Sequence, residues 1–184
     1  MSTYAEQKIK KPKIEDVAMD FLDEKRTADI LDLAGFLKAN KIGARWASAN
    51  SWTLVFKGKR LGSVKIYYID AEYERLFGKS NPLTKSWMFC QRRECLDRYY
   101  SMDECELKTF AFEHIYAKSC GSCFVTCRAG ADGQTNLSER KAGYMNPTGC
   151  GCWPLRVYNP EGESLELTKK LLEFWMKCVL DDKK

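Results

Sequence analysis

Histidine is nearly missing from this sequence: there is one, His114, in 184 residues. Enzymes that move protons near neutral pH use histidine more than any other side chain, so its scarcity narrows the catalytic options at the outset. Other signatures are absent too. The chain has no glycine-rich phosphate loop, no Gly-x-Ser-x-Gly elbow and no His-Glu-x-x-His pair. No apolar run approaches the roughly 18 residues of a membrane span, which excludes a spanning helix. Proline is sparse at five residues, and with a mean hydropathy of −0.45 the composition excludes collagen-like, coiled-coil and disordered classes. Residues 1–13 are polar, carry Lys8, Lys10, Lys11 and Lys13, and lead into no apolar core. This predicts a flexible basic tail without a secretory signal, hence a cytoplasmic address with no membrane partner.

What is abundant is cysteine, nine residues against the single histidine. A chain of this length buries roughly 70% of its unfolded surface, so it needs neither disulfides nor a metal simply to own a core. The cysteines therefore call for a local explanation.

Periodicity predicts a single α+β domain over residues 14–184. Ile14, Val17, Ala18, Phe21 and Leu22 recur at helical spacing, and Thr27 reads as the N-cap of a second helix carrying Ile30, Leu33, Ala34 and Leu37. Trp52, Leu54 and Phe56 then alternate with polar neighbours, as do Val64, Ile66 and Tyr68. The two runs form a hairpin turning at Lys57–Arg60. A third strand follows at Trp87–Cys90. Ser101 and Glu104 make a capping box for a helix placing Leu107, Phe110, Ala111 and His114 on one stripe. Trp153–Tyr158 reads as an edge strand, because Pro154 cannot donate to a ladder. Asn159-Pro160 then opens a C-terminal helix. The expected architecture is an antiparallel sheet of about four or five strands packed on helices. A long cysteine-rich loop precedes the last strand.

That loop, from Cys120 to about Gly151, and the Cys152 that follows it carry five cysteines among glycines and turn residues. Structureless loops beyond about 15 residues are uncommon in compact domains unless something holds them. Cys120-Gly-Ser-Cys123 lets two thiolates face one ion, and Cys150-Gly-Cys152 supplies a second pair. Four thiolates at about 2.3 Å make a tetrahedral structural zinc site, which is the leading reading. Cys127 and His114 are the substitute ligands, although His114 lies on the apolar stripe and reads first as a core histidine. An iron–sulfur cluster on Cys120, Cys123, Cys127 and a fourth thiolate is the alternative cofactor, with a spacing unlike the common ferredoxin runs. A dithiol redox centre fits less well, because Cys-Gly-Ser-Cys follows a helix instead of opening one. Cys90, Cys95, Cys105 and Cys178 are dispersed and read as small buried hydrophobes.

Two further constellations remain. Residues 44–69 carry Arg45, Lys57, Lys59, Arg60 and Lys65 and no acid, with Trp46, Trp52, Phe56, Tyr67 and Tyr68 among them. Basic charge interleaved with aromatic rings suits nucleic acid, but Trp52, Leu54 and Phe56 on one face suit a packed sheet better. A concave sheet lined by Arg45, Trp46, Trp52, Lys65, Tyr67 and Trp87 would instead take a small-molecule ligand. For catalysis the sequence offers little. On one helix His114 and Cys105 are nine residues apart, about 900° at about 100° per residue, which puts them on opposite sides. The sequence thus points to a binding or sensing protein for a small ligand, metal or redox state more than to an enzyme. A thiol-dependent or iron–sulfur oxidoreductase and a nucleic-acid module are the alternatives.

Overall fold

The computed structural model describes residues 4–67, 85–91, 98–99, 102–103, 105–114 and 155–182. Among them are α1 (Tyr4–Lys10), α2 (Ile14–Phe21), α3 (Glu24–Ala39), β1 (Gly43–Ser48), β2 (Ser51–Phe56), β3 (Lys59–Tyr67), β4 (Ser86–Gln91), α4 (Glu106–Glu113), β5 (Leu155–Tyr158) and α5 (Gly162–Asp181). The strands form a five-stranded antiparallel sheet in the order β1-β2-β3-β4-β5. The α+β class and the C-terminal helix are as the sequence predicts.

The hairpin follows from its turn. Lys57 and Gly58 are the two residues between β2 and β3, with φ of 45° and 82°. Positive φ at both positions is the twist that matches right-handed strands, and glycine is the residue that adopts it without strain. Register then sorts the side chains. Trp52 pairs with Val64 and Val64 with Phe89, while Ile66 pairs with Trp87. All of these are buried on one face. The helices cover this layer: α2 and α5 lie against β3, and α3 lies against α5 and β1. They contribute Ile14, Val17 and Ala18, then Ile30, Leu33 and Leu37, and from α5 Leu165, Leu171, Leu172 and Trp175.

Three local departures from the sequence reading have physical causes. Residues 4–10 were expected in a loose tail but form α1, whose buried residue is the polar Gln7. Its Oε1 accepts from Asn50 N at 2.9 Å and its Nε2 donates to Asn50 Oδ1 at 2.6 Å. Pro12 O accepts from Trp52 Nε1 at 2.8 Å. Hydrogen bonds to a distant turn leave no apolar period in the sequence, so nothing there announces them. The start of α3 is also earlier than Thr27: Asp23 caps it by accepting from Arg26 N at 2.9 Å. Finally, β1 adds a strand before Trp52. It is exposed along most of its length, so its burial pattern carries no alternation to read.

The chain divides into two compact units, residues 1–90 with 157–184 and residues 91–156. No helix among the described residues is long and apolar enough to cross a membrane.

Candidate metal centre at the base of the cysteine-rich loop

Within residues 91–156, α4 begins after Cys105, whose extended backbone occupies the N-cap position. This is later than the expected start, whose capping residues Ser101 and Glu104 lie outside the described residues. Phe110, Ala111 and Phe112 are its buried residues, while Leu107 is half-buried. The helix ends at His114, and the manner of its ending is informative.

His114 is the C-cap of α4, half-buried, with φ of −95° and ψ of 5°. It therefore sits at the end of the helix, on the side of Phe110 but half-buried rather than in the core. Its backbone N–H donates to Phe110 O, and its own carbonyl accepts from Arg156 N of β5 at 2.9 Å. That second bond joins the segment entering the cysteine-rich loop to the segment leaving it. The imidazole is oriented by two contacts. Nδ1 lies 2.9 Å from the Phe110 carbonyl, and the Phe110 ring lies against it, centroids 4.2 Å apart at 43°. A carbonyl oxygen only accepts, so Nδ1 carries the proton. In the neutral ring this leaves the lone pair on Nε2.

Cys120, Cys123, Cys127, Cys150 and Cys152 lie outside the described residues. Among the described residues no group of three or more His, Cys, Asp and Glu side chains is assembled for a metal. Of the dispersed cysteines, Cys90 is buried and its Sγ lies 3.1 Å from Ser63 Oγ across the β3–β4 pair. Cys105 is exposed and Cys178 half-buried.

The six residues nominated for a small-ligand cup divide between the two faces of the sheet. Trp46 pairs with Trp52, and with Trp87 these belong to the helix-covered face. Trp52 and Trp87 are both 0% exposed. Arg45 pairs with Thr53, and Thr53 with Ser63, in a row that alternation puts on the opposite face with Lys65 and Tyr67. There the Lys65 ammonium lies 4.8 Å from the Tyr67 ring centroid, and Tyr67 OH donates to Met88 Sδ at 3.6 Å. The six do not converge. Trp52 and Phe56 are both in the core, while Trp46 and Tyr67 are half-buried. Trp87 Nε1 is a buried donor with no hydrogen-bond partner among the described residues.

A cleft of about 730 Å³ that no sequence motif announces lies where α3 and α5 begin. Its charges largely satisfy each other: Lys25 pairs with Glu161 and Arg26 with Asp23. Burial, and then the nearby Glu161 carboxylate, push the Asp29 carboxyl up. No family model, curated protein or solved structure matches this chain.

Proposed function

We propose that this chain is a non-catalytic binding or sensing protein of the cytoplasm. Its cysteine-rich loop folds around a zinc ion held by Cys120, Cys123, Cys150 and Cys152, with Cys127 and His114 as further donors within reach. The observation that carries this reading is the hydrogen bond from Arg156 N to His114 O. It joins two residues that flank, in the sequence, the segment carrying both cysteine pairs, which supports a closed loop between them.

Magnitudes favour a bound metal over an unsupported loop. Closing a flexible loop of about 40 residues costs roughly 3 kcal/mol plus a constant, which one backbone hydrogen bond of about 1 kcal/mol does not offset. Zinc in a small thiolate site contributes about 10–16 kcal/mol of apparent binding free energy at neutral pH. A sensing role follows from the ligands. Thiolates bind metal in competition with protons and are lost to oxidation, so occupancy reports metal supply and redox state.

Elemental analysis of protein purified without added metal is the test. One zinc per chain is expected, released on thiol oxidation. Iron with a brown colour would replace this reading by the iron–sulfur alternative, and neither metal would reduce the loop cysteines to packed or disulfide-bonded thiols.

A further inference from the structure

We infer that β1 is a docking edge for an extended acidic segment of a partner protein, which joins the sheet as a further strand. The inference involves only β1, β2 and β3 and is independent of the cysteine-rich loop.

The backbone supplies the first half of the argument. In the order β1-β2-β3-β4-β5, β1 is an outermost strand. An outermost strand turns the N–H and C=O groups of alternate residues away from its neighbour, which makes it a template for another chain. Along Gly43–Ser48 every residue is exposed except Trp46, which is half-buried. Proteins blunt such edges with proline, lysine or a covering element. Neither proline nor lysine occurs in β1. Its register shift falls between Trp46 and Ser48, which leaves Gly43–Trp46 in regular pairing with β2.

Charge supplies the second half. The three strands carry Arg45, Lys59, Arg60 and Lys65 and no aspartate or glutamate. Register gathers three of these cations. Arg45 pairs with Thr53, Val55 with Arg60, and Ser51 with Lys65. Thr53 and Val55 alternate with the buried Trp52 and Leu54. Arg45, Arg60 and Lys65 therefore share the face turned away from the helices, and all three are exposed. The residues of β2 between them, Ser51, Thr53 and Val55, are short and uncharged.

Complementarity then selects the occupant. A strand laid beside β1 sends alternate side chains to this basic face and the others to the face of Ala44 and Trp46. Carboxylates suit the first row: Arg45 is the adjacent cation, and Arg60 and Lys65 add a field that salt screens over about 8 Å. Apolar side chains suit the second row. The segment that fits alternates acidic and apolar residues. A second copy fits poorly, because its β1 offers Arg45 another arginine and no carboxylate. Single-stranded nucleic acid meets the charge but lacks the peptide groups that the edge would bind.

Fluorescence anisotropy with a short labelled peptide of alternating glutamate and valine tests this. Binding should weaken as salt is added, fall about 10-fold in Arg45→Glu and fall less in Lys65→Glu. Strand pairing is tested on the peptide, with the protein unaltered. Two versions are made, N-methylated at every glutamate or at every valine. Amides of alternate residues face opposite edges of a strand, so one version should lose binding and the other keep it. Equal behaviour of the two versions, or no binding of the parent peptide at low salt, would overturn the inference. An oligothymidine that binds more tightly and is lost in Arg45→Glu would replace it by a nucleic-acid surface, and a dimer that excludes the peptide would give the edge to a second copy. If Arg45→Glu fails to fold, the N-methylated pair decides alone.

Discussion

The β2–β3 hairpin and the base of the cysteine-rich loop both bring distant parts of the chain together, by different means. The hairpin is closed by two residues, Lys57 and Gly58, whose positive φ values set the twist. It is held in register by Trp52, Leu54, Val64 and Ile66 against the helices. Every part of that arrangement is local and apolar. At the loop base, α4 and β5 meet through a backbone hydrogen bond from Arg156 N to His114 O, with the His114 imidazole set against the Phe110 ring. Burial of apolar surface explains the first region. For the second, a bound metal is the proposed tie. One region is a folding unit; the other is proposed to be a metal-dependent one.

Removing the metal should break this comparison most strongly. A zinc chelator is expected to raise hydrogen exchange across the described backbone of residues 105–114 while leaving residues 51–67 protected. Exchange that rises equally in both, or in neither, would mean that the loop base does not depend on metal. The reverse perturbation is Leu54→Ala. Leu54 is 0% exposed, and its truncation should cost about 2–5 kcal/mol in urea unfolding without changing metal content. At the turn, Gly58→Ala should cost about 1–2 kcal/mol, because alanine resists a φ of 82°. Lys57→Asn should be neutral to slightly stabilising there.

Much of the hairpin was legible in the sequence because its causes are written locally. The alternation of Trp52, Leu54 and Phe56 and the glycine at 58 are sufficient to place both strands. Gln7 shows the opposite case. A polar residue recognising the turn at Asn50 from 43 positions away has no periodic signal, so α1 reads as a tail. The end of α4 is intermediate. The helix was visible in Phe110 and Ala111, but the sequence placed His114 on its packed face, because spacing alone does not reveal where the last turn stops. The residues named for a small-ligand cup show what spacing leaves out. Its six residues have suitable chemistry, yet a strand sends alternate side chains to opposite faces, and the register separates Trp52 and Trp87 from Lys65 and Tyr67.

The two buried tryptophans sharpen the same point at smaller scale. Trp52 Nε1 donates to Pro12 O, so Trp52→Phe strands an acceptor and should cost about 1–3 kcal/mol. Trp87 Nε1 is buried with no hydrogen-bond partner among the described residues, so Trp87→Phe should be close to neutral or stabilising in the same assay. Equal losses would show that packing, not hydrogen bonding, sets both.

The smallest effect concerns Asp29. Its carboxyl is pushed up from 3.8, first by burial and then by Glu161, so the folded chain holds that proton more tightly than the unfolded one. The resulting penalty is absent well below pH 3.8 and fully present once the pH has passed the raised value. Asp29→Asn should therefore be more stable than wild type at neutral pH, with the difference vanishing toward acid. A difference that grows toward acid would have the wrong sign.

The central claim separates two populations of cysteine, and zinc content across a short variant series tests it most directly. Wild type should carry one zinc per chain, as should Cys90→Ser, whose thiol sits beside Ser63 in the sheet. Cys120→Ser should lose most of it. Equal zinc in all three proteins, or none in wild type, would contradict the account.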